Sequence, residues 1–192
     1  MQVFIMHVGH PGNVDIDYTV TRQRNIREIL DKLPKDAPER HYFENDSTLH
    51  SAFPNGSFNC WGVPPHAEPA FGETRLGDLI LIIPQIGIHD GGIHQIGIVK
   101  AKAPLRCYNA SRILWPRTPR QRLFPFIFFF TTEIGFRGWF EFLEDLGYNP
   151  RWNPRGWYKR LDFNRFAHWG GPEGYLNFLR TECGFRLLMP LA

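Results

Sequence analysis

Cysteine is scarce in this chain. Cys60, Cys107 and Cys183 are the three in 192 residues, far apart and odd in number, with no C-x-x-C pair. That argues against a disulfide framework and against a cysteine zinc site, and it fits a reducing cytosol. Long apolar runs are also missing. The run at 79–88 is broken by Pro84 and Gln85 and is too short to cross a bilayer. Residues 1–8 are apolar but too short for a secretory signal, and His7 and His10 lie close by. The expectation is a cytoplasmic protein with no membrane partner.

Signatures of catalysis are lacking too. Neither G-x-S-x-G nor G-x-x-x-x-G-K-[ST] occurs. Glu133 has no E-x-K partner, and the polar cluster around Asp162, Asn164, Arg165 and His168 has no second His at useful spacing. His66, His89 and His94, near Glu68 and Asp90, are not at helical i, i+4 spacing and fix no third ligand. Asp15 and Asp17 fit a solvated turn better than a metal-binding pair. No catalytic residue, metal ligand or cofactor is assigned, and catalysis by the chain alone is not expected.

Aromatic residues and arginine are what the chain has in quantity. Aromatics make up 15%, with 17 Phe and 6 Trp. They can fill a core or serve as stacking platforms for bases. The net charge of +3 hides an asymmetry. Residues 1–99 hold 7 Lys and Arg against 12 Asp and Glu, whereas residues 100–165 hold 13 against 5. A basic block of this kind is an electrostatic footprint for phosphates. Its arginines suit bidentate phosphate contact, and Arg106, Arg112, Arg117, Arg120, Arg122, Arg151 and Arg155 are the candidates. Within 151–160, Trp152, Trp157 and Tyr158 interleave with Arg151, Arg155, Lys159 and Arg160. That is either a binding surface for an unstacked base or an Arg–Trp stacked loop that holds the C-terminal part in place.

The pattern along the chain predicts strands at 2–8, 79–83, 93–103 and 124–131, the last apolar on both faces. It predicts helices from a Thr19 or Thr21 cap to about Leu33, at 46–52 with Asp46 or Ser47 as its cap, at 139–146 stopped by Gly147, and at 172–181 opened by Pro172. Residues 54–76 and 148–165 read as loops. The mixture points to an α+β fold around a small barrel.

Five elements in order resemble the EVE and YTH members of the PUA-like superfamily. They are Cys60-Trp61-Gly62-Val63-Pro64, Gly77-Asp78 ahead of the 79–83 strand, Gly97-Ile98-Val99, Leu114-Trp115-Pro116 and the Phe-rich strand at 124–130. The resemblance covers about 58–130, with a weaker echo at 3–8. It implies a PUA-like mixed barrel flanked by helices over residues 1–135; where EVE domains end soon after the last barrel strand, this chain departs from them and continues as a helical and loop extension over 136–192. It also implies that Trp61 and Trp115 hold a modified or flipped base. Asn59, Ser57, Asn109 and Ser111 stand beside them as readers of its edge; each residue type is also common in turns. Such modules are similar to the DNA-reading domains of modification-dependent restriction systems, including McrBC-type ones. The implied partner is therefore nucleic acid, DNA before RNA, with a separate nuclease or AAA+ motor as effector.

Two alternatives stay open. A small metal-independent ribonuclease of the related ASCH type would use Lys100, Lys102 or Tyr108. A protein-interaction subunit would use the Phe-rich strand as an interface.

Overall fold

A computed structural model describes residues 1–8, 16–84, 91–116, 123–154 and 158–188. Eight strands are present among them: β1 (Val3–His7), β2 (Arg24–Asn25), β3 (Ser57–Val63), β4 (Leu79–Ile83), β5 (Gly92–Lys102), β6 (Phe126–Gly138), β7 (Tyr158–Arg160) and β8 (Arg186–Leu187). They pair in the order β2-β3-β6-β5-β4-β1-β7, with β8 on β6. The fold is α+β with a mixed sheet, because β1 and β4 run parallel while the other described pairs are antiparallel. The expected closed barrel is not formed: among the described residues no ladder joins β2 to β7. Both end strands are too short to close it. β2 is two residues long and passes directly into a helix, and β7 is three residues long.

The chain packs as two units whose boundaries fall inside β5 and β6. The first gathers Met1–Asn13, Gly77–Ile98 and Thr132–Met189; the second gathers Val14–Leu76 and Val99–Thr131. The division expected after residue 135 falls within β6.

In the first unit, β1 pairs with β4 from Val3↔Leu79 to His7↔Ile83. Asp78 ties the start of this pair, accepting from the Gln2 backbone N–H at 2.7 Å. All five residues of β4 are buried, as expected of a strand covered on both faces. The helix Trp139–Asp145 buries Trp139, Phe142 and Leu143 on one stripe. Gly147 ends it at φ +60°, a conformation that costs a residue with a Cβ 1–2 kcal/mol or so. The helix Pro172–Thr181 buries Tyr175, Leu176 and Leu179 against the same core. Residues 148–165, expected as loop, also supply β7 and the start of a 3-10 segment, Phe163–Trp169.

In the second unit, β3 pairs with β6 from Asn59↔Phe130 to Val63↔Phe126. The loop expected at 54–76 therefore contains a strand, and it also contains the helix Glu68–Glu73. The prolines at 54, 64, 65 and 69 mark the ends of these elements, not one continuous loop. Phe126 through Phe130 are all buried, and each such side chain contributes about 1.5–3 kcal/mol. Asp46 caps the helix Ser47–Ala52 by accepting from Leu49 N–H, as the sequence predicts. The earlier helix is shorter than expected, Ile26–Lys32, with Asn25 as its cap. Asn25 is extended because β2 pairs with β3, and its amide also donates to Ser57 Oγ and the Asn55 carbonyl.

Candidate nucleic-acid interface

Trp61 sits in β3 opposite Phe128 and is 3% exposed. Alternation along a strand places Phe58, Cys60 and Gly62 on one face and Asn59, Trp61 and Val63 on the other. Trp115 follows the helix Tyr108–Leu114 and is 1% exposed. The two indoles meet edge to face with centroids 5.9 Å apart, and Phe124 adds a third ring at 6.2 Å from Trp61 and 5.8 Å from Trp115. The structure thus brings together the two tryptophans that lie 54 positions apart in sequence. Trp115 Nε1–H donates to Thr19 Oγ1 at 3.1 Å, which satisfies the buried indole.

Gly62 makes this approach possible. A Cβ on it would stand 2.6 Å from the Phe124 carbonyl oxygen and 2.7 Å from the Trp115 ring. The W-G-V order is thus a packing requirement: only a bare backbone lets Trp115 lie against β3.

The four expected edge readers all have partners within the same unit. Asn59 Nδ2–H donates to the Val20 carbonyl at 2.9 Å. Ser57 Oγ accepts from Asn25, and Ser111 Oγ accepts from Phe124 N–H at 2.9 Å. The Asn109 N–H donates to Glu39 Oε1 at 2.7 Å, and its side-chain amide faces Glu39 Oε2 at 3.4 Å. Glu39 also accepts from Ala110 N–H, so this buried carboxylate caps the helix that leads to Trp115. Sequence reading had no signal for Glu39, because its partners lie 70 residues away.

Of the phosphate candidates, Arg106 and Arg112 are exposed in the second unit and Arg151 is exposed in the first. Arg106 pairs with Glu68 at 2.6 Å and lies over the Phe126 ring. Hydrogen bonding to Glu68 raises its pKa further. Arg117, Arg120, Arg122 and Arg155 lie outside the described residues. So do His89, Asp90 and Asp15.

The aromatic and cationic run forms a second constellation, within the first unit. A cleft of about 690 Å³ is lined there by Tyr148, Trp152, Lys159, Arg160, Phe163 and Arg165, among others. Tyr148 stacks on Trp152 at 4.1 Å, and Trp152 stacks on Trp139 at 5.8 Å. The Arg165 guanidinium lies 3.9 Å from the Tyr148 centroid and donates to the carbonyls of Leu146 and Gly147. Interleaving at 151–160 pointed to this region, but Tyr148 and Arg165 lie outside that run and are joined to it only by the fold.

For the ribonuclease alternative, Lys102 Nζ–H donates to the carbonyls of Phe71 and Thr74, both at 2.8 Å, which gives this ammonium a structural task. Lys100 lies 6.0 Å from the Phe53 ring centroid, and Tyr108 is exposed at the start of its helix. Burial pushes the Cys60 and Cys107 thiols well up, so both stay protonated and unreactive. Among the described residues no group of three or more His, Cys, Asp or Glu is placed to hold a metal ion. No described helix is long and apolar enough to cross a membrane.

No protein-family model and no curated relative matches the chain. Among solved structures, the chain is similar to the N-terminal domain of Thermococcus gammatolerans McrB, bound to m5C DNA. The likeness covers 94% of this chain and 98% of that one, with a TM-score of 0.63 at 17% identity. It establishes a common fold.

Proposed function

We propose that this chain reads a modified base in DNA, in a restriction or defence setting. The observation that carries the reading is the fold it shares, over nearly its whole length, with a McrB domain bound to m5C DNA. A shared fold supplies a scaffold, and the function must come from residues. Trp61 and Trp115 are the proposed holders of the base, in the manner of PUA-like EVE and YTH modules. In the free chain the two rings occupy each other's edges, so a base enters by replacing that contact. An edge-to-face pair contributes about 0.5–1.5 kcal/mol beyond its burial, whereas a stacked base contributes about 1–3 kcal/mol. Both indoles are also buried, 3% and 1% exposed, so opening the pair adds the cost of parting their packing. Extruding the base costs a few kcal/mol, so phosphate contacts have to supply most of the affinity.

Asn59, Ser57, Asn109 and Ser111 are proposed to face the base edge, and each must share or exchange its present partner to do so. Arg106, Arg112, Arg117, Arg120, Arg122, Arg151 and Arg155 are proposed as phosphate contacts. A separate nuclease or AAA+ motor is the proposed effector.

Binding of a labelled m5C duplex tests the pocket. Trp61→Ala weakens it by about 1–3 kcal/mol, the value of one lost stack. An unchanged affinity in a folded variant removes Trp61 from the site. Salt dependence tests the arginines. Arg112→Ala flattens the slope of log K against log salt by about 0.9, one phosphate contact's worth. Arg106→Ala flattens it less, because Glu68 already neutralises that side chain. Equal slopes for wild type and Arg112→Ala would return Arg112 to solvated surface.

A further inference from the structure

We infer that the cleft of the first unit is a separate subsite for one unpaired nucleotide of a DNA strand. The inference rests on the proposed DNA-binding role but uses none of the residues assigned to the base pocket.

Three cations line the cleft, Lys159, Arg160 and Arg165, against one carboxylate, Asp162. Asp162 is already occupied as the cap of the Phe163–Trp169 segment, accepting from Asn164 N–H at 3.0 Å. The balance therefore favours an anion. Arg165 is fixed in place by two carbonyls and by Tyr148, so little side-chain freedom is lost when it meets a phosphate. The volume, about 690 Å³, lies in the range of small-ligand sites.

The aromatic lining decides what accompanies the anion. Tyr148 and Trp152 already stack on each other, which takes up ring surface a base would need. Phe163 is different: it is 60% exposed, while Phe166, one turn along, is buried in the core. An exposed flat apolar ring beside clustered cations is the arrangement that unstacked nucleotides use, base on ring and phosphate on cation. A duplex cannot use it, because its bases are already stacked on each other.

The test uses labelled single-stranded (dT)12, dTMP and an m5C duplex with the intact chain. Wild type binds (dT)12 in a salt-dependent way. Phe163→Ala weakens that binding about tenfold, the loss of roughly one stack. Lys159→Ala/Arg160→Ala flattens the salt slope by about 1.4, at roughly 0.7 per single-strand phosphate contact. All three side chains are exposed, and an unchanged thermal midpoint checks that each variant is folded. Millimolar dTMP leaves (dT)12 bound. Wild type that binds the m5C duplex but not (dT)12 overturns the subsite alone, as does (dT)12 binding indifferent to both variants. Displacement by micromolar dTMP also overturns it, because the cleft would then serve a free nucleotide. Failure of wild type to bind either DNA overturns both this inference and the reading it rests on.

Discussion

Asp145→Ala lowers the thermal midpoint by roughly 6–12 °C. Asp145 is a carboxylate only 7% exposed, and three elements meet on it. Arg137 donates to both of its oxygens, Nε at 2.9 Å and the terminal nitrogen at 2.5 Å. The Tyr175 hydroxyl donates to Oδ2 at 3.0 Å from the Pro172–Thr181 helix. Trp169 Nε1–H donates to the Asp145 backbone carbonyl at 3.0 Å. Hydrogen bonding to Asp145 accordingly raises the Arg137 pKa, and burial with the adjacent carboxylate raises that of Tyr175. Removing one partner of a buried pair strands the other, at about 3–5 kcal/mol. Arg137 is a quarter exposed and can be rehydrated in part, so the lower end, about 3 kcal/mol, is the expectation. For a domain of this size each kcal/mol moves the midpoint by about 2–4 °C. Asp145→Asn keeps an acceptor for Tyr175 and loses less. An Asp145→Ala midpoint equal to wild type would mean that Arg137 and Tyr175 find other partners at no cost.

Gly62→Ala destabilises the second unit by about 1–3 kcal/mol, and Gly62→Val by more. The added methyl meets the Phe124 carbonyl, Phe124 Cβ and the Trp115 ring at 2.6–2.7 Å. A flexible side-chain tip could swing away, but here one obstacle is backbone and another is a fully buried indole. Relief comes only by moving Trp115 or the Phe124 backbone. The same shift disturbs the Trp61–Trp115 pair, so affinity for the m5C duplex falls along with stability. Denaturant titration and duplex binding on one preparation read both effects. Wild-type values in both would show that Trp115 does not depend on the bare backbone at 62.

Most of the elements were legible in the sequence, and their pairing was not. The helix at 172–181 and the Asp46 cap follow from local signals, a first-turn proline and an Asx side chain, and both stand as expected. The apolar run at 126–130 implied a strand covered on both faces, and it is one. The stretch 54–76 misled because four prolines resemble a loop, while Asn59, Cys60 and Trp61 gain their strand from pairing with β6, more than sixty residues later. Asn25 likewise took the helix start from Thr19 or Thr21 through long-range pairing with Ser57. The meeting of Trp61 with Trp115 followed from the family resemblance, whereas the reason for it, the empty Cβ position at Gly62, shows only in three dimensions. Glu39 carried no local mark at all, since the backbone it caps lies 70 residues away.

Affinity of the intact chain for two duplexes identical except for m5C in place of C tests the central claim most directly, at one stated salt concentration. The account predicts tighter binding of the m5C duplex, a preference that Trp61→Ala abolishes, and a shared salt dependence from the phosphate contacts. A methyl-sized difference in an apolar pocket is worth about 1–3 kcal/mol, or roughly 10–200-fold. Equal affinity for both duplexes, or a preference that survives Trp61→Ala in a folded protein, would contradict it.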